Sequence, residues 1–217
     1  MNKKWRLIIS LTCFVLSGYG QNVVLKHTYY TSTFSLEKHI PVLVEYVLTK
    51  EMLTCAERFK RKNKFARDPE LPDETNLDKD YKRSGYDRGH NMSAEDNRCS
   101  ETGMKECFYF SNMFPQTHHL NAGQWKKLEE MERQEAINYD SVKVFIGSIG
   151  KITTIGTDSV TVPEYCWKVI YIYGHGYQCY IMPNNKEEKT LEECKVLPPE
   201  IESRCGVTFL DDKATIH

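Results

Sequence analysis

The tetrapeptide Asp87-Arg88-Gly89-His90 places an acid, a permanent cation and an imidazole side by side. A neutral imidazole can take a proton from water near neutral pH, because its ordinary pKa is about 6.5. In an extended segment Arg88 and His90 lie on the same face, so the cation would stand beside the base. A base beside a cation suits the hydrolysis of a phosphodiester, since the transition state of that reaction gains negative charge.

The same four residues also allow a plainer interpretation, a charged turn on the protein surface. In that case Gly89 supplies an unusual backbone angle and the charges are solvated. If the tetrapeptide belongs to a site, we interpret Asp87 as a structural residue that ties down the turn and Gly89 as the source of the backbone bend. Further site residues along the chain would favour the second interpretation.

The segment NAGQWKKLEEMERQEAINY predicts a helix that carries such residues. Apolar residues recur in it at helical spacing from Trp125 onward, and Asn121 suits the N-cap. Glu129 lies about two turns beyond Asn121, and Arg133 lies one turn beyond Glu129, so these residues share one helix face. They offer an amide oxygen for a hard cation such as Mg²⁺, a carboxylate for metal-bound water and a clamp for phosphate.

Hydrophobic periodicity predicts the elements that must hold these residues in place. The predicted strands and helices show no internal repeat and no linker between them, so the economical interpretation is a single mixed α+β domain over residues 21–217. We interpret the aromatic residues of the predicted hairpin as core rather than as a stacking platform, because alternate residues of a hairpin face the core. The predicted elements are a strand that begins at Val42 and loses its alternation before Leu53, a helix that starts at Ser93 or Ser100, a buried strand at Val142–Gly150, a hairpin at Tyr165–Asn184 that turns at Gly174-His175-Gly176, and a short terminal helix that ends near Gly206.

The composition is that of a globular protein with a substantial core. Of 217 residues, 40% are hydrophobic and 27% are charged, which excludes disorder and fibrous repeats. The formal net charge is −1, so nucleic acid could bind only through a local basic surface. The basic run from Arg58 to Arg67 is the candidate for that surface, and a solvated loop is the alternative.

The first twenty residues have the layout of a secretory signal peptide, with a basic start, an apolar run and small residues. Cleavage near Gly20 or Gln21 would remove the three cations Lys3, Lys4 and Arg6 and change the formal charge from −1 to −4. The alternative is an uncleaved anchor, but the apolar run is shorter than the ~20 residues that a span requires. The leader predicts a secreted or periplasmic protein that has no membrane partner after cleavage.

Seven of the eight cysteines follow the predicted cleavage point. Export would favour disulfides, and an odd number leaves at least one thiol free or paired outside the chain. Cys194 and Cys205 flank a short segment and are the best local pair, while Cys55, Cys99 and Cys107 could supply a second bridge. A zinc site is disfavoured, because no CxxC or HxxxH pair has the required arrangement.

Two stretches, YDRGHNMSAED and FYFSNMFPQTHHLNAGQWKKLEEMER, resemble the DNA/RNA non-specific endonucleases with the ββα-metal fold. That family includes secreted bacterial nucleases and the mitochondrial endonuclease G group. The resemblance spans about residues 61 to 209 and is strongest from 84 to 133. It implies an α+β fold, a ββα-metal (His-Me finger) nuclease domain with a central antiparallel sheet flanked by helices.

Candidate roles follow from the resemblance residue by residue. His90 matches the general base, and Asn121 matches the ligand of one Mg²⁺, for which Mn²⁺ can substitute. Glu129 matches the carboxylate that orients water on the metal. Arg88 and Arg133 match the cations that grip phosphate oxygens in the family.

The match is looser elsewhere. The family has a phosphate-binding arginine upstream of the tetrapeptide, and Arg61 is the candidate among several basic neighbours. Cys99 and Cys107 stand where many members have other residues, which suggests a disulfide particular to this lineage. The pair His118-His119 is unusual, and we interpret it as solvent-facing loop residues rather than as site residues.

The resemblance also implies a reaction and its partners. The expected activity is that of a secreted, sugar-non-specific endonuclease, which hydrolyses phosphodiester bonds in DNA and RNA and leaves 5′-phosphate ends. Sequence specificity should be low, because contacts to phosphate do not read bases. DNA and RNA are the implied partners, and a homodimer would agree with other family members. The alternatives are a non-catalytic nucleic-acid-binding protein on the nuclease fold and a disulfide-built binding module whose tetrapeptide is only structural.

Overall fold

The computed structural model describes residues 22–71 and 77–217, and its largest element is a seven-stranded antiparallel sheet. Three ribbons of two strands each accompany the sheet within these residues. The combination of this sheet with several helices confirms the predicted α+β class. In sheet order the seven strands are β1 (Asn22–Lys26), β2 (Thr31–Ser35), β3 (Ile40–Thr49), β6 (Ser141–Ile149), β9 (Tyr165–Ile172), β10 (Gly176–Pro183) and β11 (Lys195–Val196), and the ribbons pair β4 (Asp87–His90) with β5 (Met113–Gln116), β7 (Thr153–Ile155) with β8 (Val160–Val162), and β12 (Val207–Leu210) with β13 (Lys213–Ile216).

Most of the helices in the described residues are short, and the longest has 13 residues. None of the helices in these two stretches combines the length and the apolar character needed to cross a membrane. The helices are α1 (Lys50–Leu53), α2 (Asp78–Tyr81), α3 (Glu101–Glu106), α4 (His118–Leu120), α5 (Lys126–Asn138) and α6 (Pro198–Cys205).

The two faces of the seven-stranded sheet carry separate hydrophobic cores, because successive side chains of a strand point to opposite faces. On one face Val144 and Ile146 of β6 belong to the core that includes Leu128 of α5. On the other face Phe145 of β6 belongs to the core that includes Ile201 of α6. Burial on both faces explains why β6 reads as a nearly continuous apolar run.

Most of the elements predicted from periodicity are present, with shifts at their ends. The hairpin is formed by β9 and β10, and the terminal helix is α6, which ends at Gly206 in a left-handed conformation with φ of 63°. Ser100, one of the two predicted starting points, caps α3 by accepting a hydrogen bond from the Gly103 N–H. The strand predicted at Val42–Leu53 ends earlier, because Thr49 caps the N-terminus of α1.

The helix predicted to start at Asn121 begins earlier and is interrupted. Thr117 provides the cap, since its hydroxyl oxygen accepts a backbone hydrogen bond, and α4 starts at His118. Residues Asn121–Trp125 then form a wider π turn, in which Gly123 leaves helical geometry with φ of −99° and ψ of −110°. The predicted N-cap at Asn121 is therefore wrong, because the spacing of a regular helix does not anticipate a π turn.

The chain between β3 and β6 forms one long excursion from the sheet. The two strands are hydrogen-bonded neighbours, with Thr49 opposite Ser141. The Lys50 N–H donates a hydrogen bond to the Asp140 carbonyl (2.9 Å), so the excursion begins and ends at the same place. All of the predicted site residues lie within it, and α5 packs against both strands on its way back to the sheet.

A disulfide between Cys55 and Cys99 closes a 44-residue separation inside this excursion. It confirms that the group of Cys55, Cys99 and Cys107 supplies a bridge, but the suggested bridge to Cys107 is wrong, since that thiol is free and buried. The predicted pairing of Cys194 with Cys205 is also wrong, because both thiols are free. Cys194 belongs to the core on one face of the sheet, and Cys205 packs against the core on the other.

We expect removal of this disulfide to lower the free energy of unfolding by about 2–4 kcal/mol, because the bridge restricts the unfolded chain. The matched change is the double substitution Cys55→Ser and Cys99→Ser, which leaves no new unpaired thiol. Urea denaturation followed by circular dichroism measures the difference. Cys205→Ser replaces a free thiol and is the control, and equal stability of the double variant and the wild type would contradict the expectation.

Candidate active site

Strand β4 carries His90, and it pairs antiparallel with β5. Gly89 packs so closely against Gln116 of β5 that an added Cβ would lie 2.0 Å from Gln116 Oε1. Gly89 does not have a positive φ, so the predicted role of a backbone bend is wrong. The position requires glycine because the Gln116 side chain fills the space that a Cβ would take.

The His90 ring is enclosed by aromatic side chains. Phe108 meets it edge-on at a centroid distance of 5.0 Å, and Phe65 lies at 5.8 Å. Trp125 Nε1 donates a hydrogen bond to the His90 carbonyl (3.1 Å), which holds the backbone in place. Burial, together with the nearby Arg61 cation, lowers the pKa of His90 from 6.5 to about 3. The imidazole is therefore neutral over the whole physiological pH range.

We expect His90 to make the folded protein less stable as the pH falls from about 6.5 to about 3. Above pH ~6.5 the ring is neutral in both states, so its contribution is constant. Below that pH the unfolded chain binds a proton, while the folded protein does not until its pKa of about 3 is reached. The free energy of unfolding should therefore decrease by up to about 1.4 kcal/mol for each pH unit in this window.

The measurement compares urea denaturation of the wild type with that of His90→Asn, at steps from about pH 7 down to about pH 4. The difference between the two free energies isolates the histidine, because all other titrating groups are shared. A difference that stays constant over this range would contradict the lowered pKa.

His90 lies on the wall of a cavity of about 550 Å³ between β4, the basic run and the helix α5. The lining is rich in cations, carboxylates and amides. The structure brings the predicted residues Arg61, Arg88, Asn121, Glu129 and Arg133 together with His90 around this cavity.

Asp87 orients the Asn121 side chain. Asn121 Nδ2 donates a hydrogen bond to Asp87 Oδ2 (2.9 Å), and His118 Nδ1 lies 2.8 Å from the same oxygen. Asn121 Oδ1 has no hydrogen-bond partner among the described residues, so it is left for a ligand in the cavity. The Asp87 carboxylate therefore contacts side chains outside its own strand. The sequence predicts only that Asp87 stabilises the local turn. His118 and His119 are both exposed, as predicted, although they lie in α4 rather than in a loop.

Glu129 faces the same cavity from α5. Burial raises the pKa of Glu129 to about 8, although the cations of Lys168 and Arg133 oppose the shift. A cation in the cavity would favour the ionised carboxylate, so this residue and a metal ion would stabilise each other.

The donors around Asn121 and Glu129 fit a hydrated Mg²⁺. This ion takes oxygen ligands and keeps several of its waters. The part of the chain that the structure describes has no group of three or more His, Cys, Asp or Glu that could hold a metal. Asn121 and Glu129 together offer one amide oxygen and one carboxylate on the cavity wall.

A buried ion pair lies beneath α5. Lys168 of β9 and Glu132 of α5 have no exposed side-chain surface, and Lys168 Nζ lies 2.5 Å from Glu132 Oε2. The Tyr46 hydroxyl donates to Glu132 Oε1 (2.6 Å), and the Lys168 ammonium lies over the Trp125 ring at 5.1 Å. Trp125 also holds the His90 carbonyl. The sheet therefore sets the position of α5 and, through Trp125, the position of the imidazole.

Arg88 and Arg133 face the cavity and are each anchored by one acid. Arg88 Nη2 lies 2.9 Å from Asp78 Oδ1, and Arg133 Nη1 lies 3.0 Å from Asp96 Oδ1. A guanidinium has five N–H donors, so these contacts leave donors for a phosphate while they restrict the side chain. Each acid therefore fixes the position of one guanidinium group and leaves some of its N–H donors unused.

Arg61 reaches the cavity from the basic run, and its guanidinium lies over the Phe108 ring at 5.5 Å. Arg58 and Lys126 also line the cavity, although no sequence motif assigns either of them an individual role. Both residues stand in segments that the sequence singles out, because Arg58 begins the basic run and Lys126 lies within the segment that predicts the helix. Trp125 starts the apolar periodicity of the predicted helix, and no sequence pattern indicates that its indole N–H donates to the His90 carbonyl.

Comparison with known proteins places this geometry in a family. The family model described as DNA/RNA non-specific endonuclease matches residues 11–216. Mitochondrial endonuclease G of Homo sapiens is 34% identical over 149 residues, which cover 60% of this chain and 50% of that protein. Mitochondrial nuclease EXOG of Danio rerio is 32% identical over 188 residues, which cover 77% and 54%. Nuclease C1 of Cunninghamella echinulata var. echinulata is 33% identical over 169 residues, which cover 69% and 67%.

A solved structure is similar over most of both chains. EndoG, in a crystal structure described as the EndoG/EndoGI complex, has a TM-score of 0.81 and 28% identity, and the match covers 89% of this chain and 88% of that chain. The likeness confirms the predicted ββα-metal nuclease fold. The chain spans about half the length of the first curated relatives that it matches.

The relatives correct the predicted location. Endonuclease G, EXOG and nuclease 1 of Schizosaccharomyces pombe are all named as mitochondrial. The prediction of a secreted or periplasmic protein is wrong, because it depended on a basic start and an apolar run, and such a composition does not identify a compartment by itself. The predicted signal peptide, residues 1–20, lies outside the described residues.

The predicted resemblance is confirmed over far more of the sequence than the motif region. The family match extends from residue 11 to residue 216, and the structural likeness includes the large sheet as well as the site. The chain belongs to the DNA/RNA non-specific endonuclease family.

Proposed function

We propose that this chain is a metal-dependent endonuclease that hydrolyses phosphodiester bonds in DNA and in RNA. The observation that carries the proposal is the shared cavity, in which a buried neutral His90 and the oriented amide of Asn121 are surrounded by arginines. Membership of the family and the names of the relatives support the same activity.

His90 acts as the general base. It takes a proton from a water molecule whose oxygen attacks phosphorus in line with the leaving 3′ oxygen. The bond between phosphorus and the 3′ oxygen breaks, and that oxygen takes up a proton from solvent, so the products carry 5′-phosphate and 3′-hydroxyl ends. A bound phosphodiester brings negative charge close to the ring, which raises the pKa of His90 towards the range where a base is most effective.

Mg²⁺ would supply Lewis-acid stabilisation of the negative charge on the phosphate oxygens. Asn121 would hold the ion through Oδ1, because its Nδ2 is bonded to Asp87. Glu129 accepts hydrogen bonds from water in the cavity and so keeps that water in place. Mn²⁺ is proposed as a substitute, because it also takes oxygen ligands.

Arg61, Arg88 and Arg133 bind phosphate oxygens on the substrate. Their planar groups suit two parallel hydrogen bonds to one phosphate, and Arg88 and Arg133 are already held in place by acids. Because these contacts go to the backbone of the nucleic acid, binding has low sequence specificity and weakens steeply with salt. A homodimer stays a prediction, which sedimentation equilibrium of the purified protein would test.

The test is incubation of the purified protein with plasmid DNA and with RNA, in Mg²⁺, in Mn²⁺ and in EDTA. We expect both substrates to be degraded with either metal and to stay intact in EDTA, and the products to accept 5′ labelling only after phosphatase treatment. Intact DNA and RNA in the presence of either metal would refute the proposed endonuclease activity. A gel shift without cleavage would instead support the alternative, a non-catalytic nucleic-acid-binding protein.

A further inference from the structure

A second cavity, of about 430 Å³, lies beside the active-site cavity and shares a side chain with its surroundings. Phe108 lines the second cavity, and its ring contacts His90 at 5.0 Å and Arg61 at 5.5 Å. Both of those residues line the active-site cavity. One aromatic ring therefore separates the base from the second cavity.

The basic run divides its side chains between the two cavities. Arg58 and Arg61 line the active-site cavity, whereas Phe59, Lys62 and Lys64 line the second one. The backbone of this segment is held in place at Phe59, whose N–H donates to the Arg98 carbonyl (2.7 Å) and whose carbonyl accepts from Arg98 Nε (2.9 Å). The neighbouring Cys99 is disulfide-bonded, which further fixes the segment. The run is thus a fixed ridge between two cavities.

The second cavity combines an apolar interior with a cationic rim. Phe108 and Tyr109 are buried in its wall, while 38% of the Phe59 side chain is exposed. Lys62 on the rim is paired with Glu101 (3.1 Å), whereas Lys64 and Lys105 have no ion-pair partner among the described residues, so the rim carries two unpaired cations. Aromatic faces bind nucleobases by stacking, and lysines within reach bind the attached phosphates. The volume lies in the range of roughly 300–1,000 Å³ that is usual for pockets that bind small ligands.

We propose that the second cavity is a subsite for an unpaired nucleobase of the strand whose phosphate lies at His90. The inference rests on the proposed function, because it assigns a place to the nucleotide next to the scissile phosphate. A base in a duplex must leave its stack and its partner before it can enter such a cavity. The subsite therefore favours single strands over duplexes, and Phe59 is the residue that stacks on the base.

The first test measures binding in EDTA, where no cleavage occurs, by fluorescence anisotropy of a labelled single-stranded oligonucleotide and of its duplex. We expect Phe59→Ala to weaken single-strand binding about tenfold and duplex binding less than about twofold, because stacking is lost only for the unpaired strand. Tyr173→Ala removes an equally exposed aromatic ring at the far hairpin turn and is the control. Equal losses on both nucleic acids, or no loss on either, would overturn the subsite.

The second test distinguishes the contribution of the lysines from that of the aromatic side chain. It also locates the bound nucleobase. The double substitution Lys64→Ala and Lys105→Ala should weaken single-strand binding and reduce its salt dependence, with Lys151→Ala as a matched exposed control. A single strand that contains 4-thiothymidine should crosslink on irradiation to the peptides that carry Phe59 or Tyr109. Crosslinks elsewhere, with none on these peptides, would refute the location.

The outcomes distinguish the subsite from the proposed function. If the wild type degrades nucleic acid and the Phe59→Ala variant binds and cuts single strands as the control does, the subsite is wrong and the enzyme stands. If the wild type fails to cut in either metal but single-strand binding in EDTA depends on Phe59, the nucleobase site stands and the enzyme proposal falls.

Discussion

Replacement of His90 with alanine is expected to reduce the rate of cleavage of both DNA and RNA by about 10²–10⁴-fold. The His90 imidazole on the cavity wall is neutral over the whole physiological pH range, since its pKa is lowered to about 3. Arg88 and Arg133 on the same wall are permanent cations, and each is held by an ion pair with one acid. Loss of the ring removes the acceptor for the proton of the attacking water, while the arginines still bind the substrate.

The control for this variant is His119→Ala, which removes an exposed imidazole from α4 and should leave cleavage unchanged. Circular dichroism and anisotropy in EDTA establish that the His90→Ala protein is folded and binds nucleic acid. His90→Asn keeps a polar side chain of similar reach and should be equally inactive. Cleavage at the wild-type rate by either His90 variant would remove this residue from the role of base.

Replacement of Asn121 with alanine is expected to raise the concentration of Mg²⁺ that cleavage requires, and an excess of Mg²⁺ or Mn²⁺ should restore part of the activity. The physical reason is the contact with Asp87, which holds the amide nitrogen and leaves Oδ1 for the metal. Asp87→Asn should shift the metal requirement in the same direction, by about 10–100-fold, because it weakens the contact that orients the ligand.

Metal titration of the initial cleavage rate measures both variants, and calorimetric titration of Mg²⁺ without substrate measures the affinity directly. Gln124→Ala changes another amide in the same π turn that does not line the cavity, so it is the matched control. Wild-type Mg²⁺ affinity in Asn121→Ala would refute the ligand assignment. A large loss in Gln124→Ala would show that the turn, and not the amide, is what the substitution disturbs.

The elements that sequence analysis predicts well are those in which side-chain periodicity and burial agree. The strand β6 and the hairpin of β9 and β10 are apolar runs. In the structure β6 is the middle strand of the large sheet, the hairpin lies beside it, and Trp167 is fully buried. The end of α6 at Gly206 follows from the conformational freedom of glycine, which is a local property. Local chemistry and core burial can both be read without knowledge of the fold.

The features that escape prediction depend on contacts between distant parts of the chain. The role of Gly89 depends on the Gln116 side chain across the ribbon, and the reach of Asp87 depends on the π turn that carries Asn121. The cysteine pairing failed for the same reason, because short separation in sequence placed Cys194 and Cys205 together while the sheet separates them. The motif predicts residues that the structure places around one cavity, but it does not predict the contacts that orient them.

The excursion between β3 and β6 has a consequence for the order in which the molecule assembles. Its ends meet where the Lys50 N–H binds the Asp140 carbonyl, so pairing of the two central strands requires closure of the whole intervening segment. Closure of a long loop has an entropic cost that local contacts must offset, and such long-range pairing slows folding. The ribbon, the disulfide and the π turn lie inside the loop and make it more compact. A more compact loop brings β3 and β6 closer together, so the two strands would pair faster. The segment that carries the candidate site is therefore also the loop that must become compact before the central strands can pair.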